Sequence, residues 1–296
     1  RPSKVEDCIL PDAIKSTFLE YVARKEIPNL LLSGTAGVGK TTLAKLLLNE
    51  LGIPDFDILE VNASRETGID FIRDKIIPFI SMIPFGPFRV VILDEADRLS
   101  QQAQDSLKGI IEEYSLHARF ILTCNNPNRV QHPIKSRCNT MHFNSIDQTE
   151  FTARVATVLV TENINFELDV LDTYVKATYP DLRKCLNLLQ MNSTDGTLSA
   201  PHGDEGGAQD WKIDAVSLFK AGKTREARQL MCSSVRPEEM EDVFRWCYDN
   251  LELWTTDIEK QDQAIIIIRN GLVNVPLVAD QEINLSATLI ELSGLQ

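Results

Sequence analysis

The first half of the chain alternates short, nearly continuous apolar runs with stretches in which apolar residues recur every three or four positions. The second half carries only the latter kind. Leu30-Leu31-Leu32, Phe56–Val61, Arg89–Leu93, Arg119–Cys124 and Thr140–Phe143 read as strands. Helices are expected from Pro11-Asp12 through Val22, over Thr42–Leu48, from about Ile69 to Ile80, and over Gln101–Tyr114. Strands alternating with helices predict a parallel sheet covered on both faces, an α/β fold. From Ser145 the strand signals stop. Asp147–Val160, Leu168–Ala177 and Asp181–Gln190 read as three helices, and the polar, Gly-rich Asn192–Gln209 as a linker or long loop. Five further helices are predicted over Trp211–Phe219, Thr224–Met231, Pro237–Leu251, Asp257–Leu272 and Asp280–Leu292. Ile265-Ile266-Ile267-Ile268 makes one of them apolar all round, so it is expected to be buried within a bundle or an oligomer interface.

The stretch that gives this pattern a chemistry lies between the first strand and the helix after it. Gly34-Thr35-Ala36-Gly37-Val38-Gly39-Lys40-Thr41 has the form G-x-x-x-x-G-K-T, followed by Thr42 and an amphipathic helix. Strand, glycine-rich loop, helix is the context a Walker A phosphate loop requires. Glycines let backbone N–H groups close around a polyphosphate, and the helix points its positive end at the same anion. Lys40 is placed to reach the β- and γ-phosphates of ATP, and Thr41 to offer its hydroxyl to Mg²⁺. The third strand runs into Asp94-Glu95-Ala96-Asp97, a Walker B element. Asp94 is expected to hold Mg²⁺, directly or through water, and Glu95 to orient and deprotonate the attacking water. At the end of the fourth strand, Asn125 would sit beside these acids and could touch the γ-phosphate or the water. Read without those motifs, Asn125-Asn126-Pro127 is an ordinary turn.

Composition narrows the classes. With 296 residues, 43% hydrophobic and 25% charged, the chain has the make-up of an ordinary globular protein of two or three domains. The net charge of −13 at first argues against nucleic acid, yet it is unevenly spread. Residues 1–144 hold 17 Lys and Arg against 18 Asp and Glu, and residues 145–296 hold 13 against 25. The N-terminal half can therefore still carry a basic face. Six scattered cysteines without a C-x-x-C pair, and four dispersed histidines, speak for reduced thiols in a cytosolic setting, with no disulfide frame or zinc site. No signal peptide or 18-residue apolar span is visible, so no membrane partner is expected. The chain opens at Arg1-Pro2 without an initiator methionine, so trimming at its start is expected.

The motifs together say more than any one of them. Gly34–Thr41, Leu93-Asp94-Glu95-Ala96-Asp97, Ile121-Leu122-Thr123-Cys124-Asn125 and Ser136-Arg137-Cys138 resemble the clamp-loader ATPases of the AAA+ class. That class includes replication factor C small subunits and the large ATPase subunit of T-even-type phage clamp loaders. Val61-Asn62-Ala63-Ser64, then Gly68-Ile69-Asp70 and Arg73, is similar to the family's second strand and DNA-facing helix, and Arg1-Pro2 to the tail of its N-terminal Tyr-Arg-Pro motif. The similarity covers essentially the whole chain and weakens after about residue 195.

The resemblance implies an AAA+ ATPase base over 1–144, a helical lid over 145–205 and a helical collar for oligomerisation over 206–296. It implies ATP and Mg²⁺ as cofactors, with Cys8 and Ile9 joining the P-loop residues at the nucleotide. Arg137 would be an arginine finger inserted into a neighbouring subunit's site, Asn125 the sensor 1 residue, and Arg183 the sensor 2 residue, with Lys184 its competitor. Ile69, Arg73, Lys75 and Lys108 would line a DNA-binding interior, and Gln101–Gln104 would face the clamp. Implied partners are other subunits in an oligomer expected to be pentameric, the sliding clamp, and primer–template DNA read without sequence preference. The compartment would be cytoplasmic, meaning the host cytoplasm for a phage protein or the nucleus for a eukaryotic one. The chain departs from cellular relatives at Lys108-Gly109, where two arginines are usual, and at Ser64-Arg65-Glu66-Thr67, which lacks an acidic pair. Asp7-Cys8-Ile9-Leu10-Pro11 is closer to the phage form. Two other readings stay open: another AAA+ DNA-remodelling motor (branch-migration or origin-melting), though 206–296 lacks a winged-helix hairpin signal, and a non-catalytic scaffold subunit.

Overall fold

The computed structural model describes residues 4–143, 147–199 and 211–295. Arg1-Pro2 and the second half of the polar segment lie outside the described residues. The chain divides into two compact units, Arg1–Glu150 and Phe151–Gln296.

In the first unit, five strands form one parallel sheet: β1 (Leu30–Gly34), β2 (Ile58–Asn62), β3 (Arg89–Asp94), β4 (Ala118–Cys124) and β5 (Asn139–Phe143), in the order β2-β3-β4-β1-β5. The central strands carry continuous apolar runs because both faces are covered. Leu30, Leu31 and Leu32 of β1, Val90–Leu93 of β3 and Phe120–Leu122 of β4 are all buried. The helices are α1 (Asp12–Arg24), α2 (Lys40–Glu50), α3 (Ile77–Ser81), α4 (Gln101–Glu113) and the four-residue α5 (His132–Lys135). Ser100 caps α4, its hydroxyl accepting the Ala103 N–H at 3.2 Å.

Two predicted elements need correcting in this unit. The helix expected over 69–80 forms, but Ile72–Ile76 makes a wide π turn before α3. Pro78 explains it: proline cannot donate to the carbonyl one turn back, and its ring clashes with that carbonyl, so the turn widens. Phe56 is not in β2 but on a 3-10 turn (Asp55–Asp57), with its ring 79% exposed. The turn is tied off by the fully buried Asp57, whose carboxylate accepts the N–H groups of Phe85 at 3.1 Å and Gly86 at 2.6 Å. Beside it, the buried Arg89 guanidinium donates to the carbonyls of Met82, Phe56 and Ile83.

The second unit is helical: α6 (Gln148–Thr161), α7 (Leu168–Thr178), α8 (Leu182–Met191), α9 (Trp211–Lys220), α10 (Thr224–Ser234), α11 (Met240–Asp249), α12 (Ile258–Asn274) and α13 (Gln281–Ser293). The start of the supposed linker is a hairpin, β6 (Ser193–Thr194) against β7 (Thr197–Leu198). Asp195 and Gly196, at φ 52° and 72°, turn it, and Asp-Gly is a strong tight-turn signal. α7 packs on α9, where Lys220 bonds Asp169 at 2.8 Å and Asp172 at 2.7 Å.

The isoleucine run on α12 is not buried all round. Ala264, Ile268 and Gly271 form the inward stripe, and Ile266 is 58% exposed. Close approach sets that stripe: a Cβ on Gly271 would come within 2.5 Å of both the Phe244 ring and the Thr288 hydroxyl.

Candidate functional site

Parallel strands deliver the ends of β1, β3 and β4 to one edge of the sheet, the edge at which open α/β sheets bind ligands. At the end of β1, Gly34 has φ 151°, and a Cβ there would meet the Phe143 carbonyl oxygen of β5 at 2.5 Å. Only glycine lets the loop leave the sheet at that point. The loop then enters α2 at Lys40, so the first N–H groups of the helix face the same space as the loop amides.

The side chains predicted for this edge come together. Lys40 is 7% exposed and donates to Gly34 O at 2.9 Å, Thr35 O at 2.7 Å and Asn125 Oδ1 at 2.9 Å. The Thr41 hydroxyl donates to Asp94 Oδ1 at 2.7 Å, so a hydroxyl and a carboxylate converge where hard oxygen ligands for Mg²⁺ are needed. Thr123 also donates to Asp94 Oδ1, and its own oxygen accepts the Glu95 N–H at 3.2 Å. Glu95 follows β3 in a left-handed conformation, φ 56° and ψ 43°. Asp97 Oδ2 accepts the Asn126 N–H at 3.0 Å, tying the acidic loop to the end of β4. A cationic lysine, loop amides and a helix N-terminus suit a polyphosphate, and the Thr41–Asp94 pair suits its metal, so these residues fit Mg–ATP.

The other predicted residues are carried by further elements. Cys8 and Ile9 follow a 3-10 turn, Val5–Asp7, whose Val5 N–H bonds Glu50 at the far end of α2 from Lys40. Arg73 is exposed on the π turn, Ile69 is half-buried just before it, Lys75 is paired with Glu66, and Lys108 is half-buried on α4. The π turn and α4 pack together through Ile72, Ile76, Leu107 and Ile111. Arg183 is exposed in the first turn of α8 in the second unit, beside Lys184, whose N–H is capped by Asp181.

Gln104 corrects the expected clamp-facing stretch. It is 3% exposed and points inward, donating to Leu99 O and Arg129 O and accepting the Gln131 N–H, while Gln101 and Gln102 are exposed.

Arg137 stands apart from the phosphate loop. Its carbonyl accepts from Asn29 Nδ2 at 3.5 Å, at the start of β1, whereas the loop leaves the other end of that strand. Five residues of strand put about 16 Å between those ends. The guanidinium donates through Nε to Glu112 Oε1 at 2.9 Å, through Nη2 to the same oxygen, and through Nη1 to Pro133 O at 2.7 Å. A cavity of about 390 Å³ opens here, lined by Arg24, Arg119 and Arg137 with Glu26 its one acid. Cys138 packs inward, and burial pushes its thiol up to about 12; burial likewise pushes Cys124 up to about 11, so neither is a nucleophile at neutral pH.

The roles of three residues escaped the sequence reading, although each left a trace. Thr123 is a hydroxyl in an apolar strand, Gln104 an amide in the apolar stripe of α4, and Glu112 an acid at the C-terminal end of a helix.

The sheet order, the loop and its acids define a P-loop ATPase. Residues 30–146 match the model of the ATPase family associated with various cellular activities (AAA). The chain is 32% identical over 304 residues to the replication factor C small subunit of Sulfurisphaera tokodaii, covering 99% of this chain and 93% of that one. With the replication factor C small subunit of Staphylothermus marinus it shares 31% over 306 residues, covering 100% and 93%. The chain belongs to the replication factor C small-subunit family of AAA+ clamp-loader ATPases. Among solved structures, the Thermotoga maritima RuvB Holliday junction branch migration motor aligns with a TM-score of 0.54 at 19% identity, over 64% of this chain and 63% of that one. That is a likeness of fold alone. Among the described residues no helix is long and apolar enough to cross a membrane.

Proposed function

We propose that this chain is an ATP-hydrolysing subunit of a ring or spiral that opens a sliding clamp and sets it on primer–template DNA. Bound Mg–ATP would supply a phosphoryl group with a good leaving group and a cation that neutralises its oxygens. Lys40 and the loop amides of Thr35–Gly39 would bind and orient the phosphates, with Thr41 and Asp94 holding the metal. Glu95 would accept the proton of the attacking water. Thr123 donates to the Asp94 carboxylate and accepts the backbone N–H of Glu95, and Asn125 keeps Lys40 turned into the site.

The observation that carries the shared-site reading is the position of Arg137. Its backbone is tied to the edge of the sheet opposite the phosphate loop, so it has no route to its own chain's nucleotide and is available to a neighbour's. A guanidinium supplied in trans stabilises charge on the phosphoryl oxygens, which makes hydrolysis depend on assembly. In this reading 1–144 is the base, 145–205 the lid carrying Arg183 to the γ-phosphate, and 206–296 the collar. Ile69, Arg73, Lys75 and Lys108 would follow the DNA backbone, with contacts that ignore sequence and weaken with salt. Gln101 and Gln102, exposed at the start of α4, would meet the clamp.

The test is the ATPase rate of the assembled loader with and without clamp and primed DNA. Stimulation by both is expected, and an unchanged rate with both present would sink the reading.

A further inference from the structure

Glu112 belongs to none of the motifs, yet it holds the residue on which the shared site depends. It lies in the last turn of α4, followed by Glu113 and with no basic residue in that turn. Acids there face the negative end of the helix, which disfavours them for the helix alone. Three of the five N–H donors of Arg137 are engaged within the chain: two by a single Glu112 oxygen along the Nε–Nη2 edge, one by the Pro133 carbonyl. The other two have no partner among the described residues. The backbone is anchored as well, with Arg137 N–H on Ile134 O at 3.0 Å and Asn29 on Arg137 O. The cavity that Arg137 lines also takes in Arg24, paired with Glu20, and Arg119, which donates to the carbonyls of Ile27, Ser115 and Ala118.

We propose that Glu112 is a positioning residue for the arginine finger. It grips the guanidinium by one edge and so presents the remaining N–H pair to the polyphosphate of the nucleotide held by the neighbouring subunit. The proposal rests on the shared-site reading above. Arginine–carboxylate pairs are frequently bidentate, with two parallel N–H···O bonds. Here one oxygen takes the side edge. Arginine otherwise has large rotamer freedom to lose on reaching its target, and holding it beforehand lowers that loss. The pair is partly exposed, with side-chain exposures of 27% for Arg137 and 59% for Glu112, so the grip adjusts readily when the phosphate arrives.

The experiment is a double-mutant cycle on the assembled loader, with clamp and primed DNA present. Glu112→Ala is expected to lower kcat about two- to fivefold, the range open to an exposed ion pair, with KM for ATP almost unchanged. Glu112→Asp keeps the charge at the helix end but shortens its reach, and should lower kcat as the alanine does. Glu112→Gln keeps an acceptor oxygen and should recover most of the rate. In an Arg137→Ala background Glu112→Ala should add nothing. An equal fall in both backgrounds, or full activity for Glu112→Asp, would show that Glu112 serves the helix and overturn the proposal. Faster turnover on losing Glu112 would overturn it too, by showing restraint of the finger. Arg137→Ala alone turning over at the parental rate would remove the shared site itself, a result read without touching Glu112.

Discussion

The two edges of the sheet in the first unit are built on different terms. On one, Lys40, Thr41, Asp94, Thr123 and Asn125 hold one another at the ends of three neighbouring strands, with Lys40 buried. On the other, Arg137 follows a four-residue helix and leans on an exposed acid. The first cluster has all its protein partners within its own chain and can be locked before ligand arrives. In the proposed shared site the second would complete a pocket in another molecule, which calls for an open side and a grip that yields. A buried, satisfied network costs more to disturb than an exposed pair. The contrast matches the proposed division between groups that serve the chain's own nucleotide and a group that serves a neighbour's.

The sharpest way to break this comparison is Arg137→Ala. It should cut turnover of the assembled complex by about 10³–10⁵-fold, the range for a lost arginine finger, while nucleotide binding by the variant chain stays at the parental level. Fluorescent-nucleotide titration alongside steady-state turnover checks both halves; weakened binding would mean the two edges are not separate. Glu95→Gln should come next, lowering turnover about 10²–10⁴-fold with assembly and ATP binding intact, as expected for a lost general base. Full retention of turnover would move the base elsewhere.

Asp57→Ala probes a buried charged group with no part in either edge. It removes the carboxylate that lies 3.9 Å from the buried Arg89 guanidinium, a change worth about 3–5 kcal/mol of stability. Denaturant melts of the full chain should show it, and a loss under 1 kcal/mol would mean the carbonyls alone satisfy Arg89. The smallest effect is expected from Arg73→Ala. It should weaken DNA binding evenly across sequences and reduce the slope of log K against log salt by about one. An unchanged slope would take the π turn out of the DNA path.

How much of this could be read from sequence follows from the range of each interaction. The phosphate loop and its acids are local patterns, because strand, turn and helix must succeed one another to present them. Asn125 was legible as a strand-end residue, but its bond to Lys40 joins positions 85 apart. Glu112 and Arg137 are 25 apart and meet only because α4 and α5 end side by side. Gln104 was misplaced for another reason: its neighbours Gln101 and Gln102 are exposed, and an amide in an apolar stripe declares itself only once its carbonyl partners are known. The π turn and the hairpin were local after all. Pro78 and Asp195-Gly196 are short-range signals outweighed by the periodicity and polarity around them.

The backbone at Glu95 adds a last consequence. A side chain at φ 56° and ψ 43° sits where residues other than glycine are disfavoured by about 1–2 kcal/mol. Replacing it by glycine would relieve that local penalty and remove the carboxylate in the same stroke. With Glu95 in its proposed role, breeding this chain for heat resistance alone would push it toward an inert variant, and hardiness and turnover would part company at this single position.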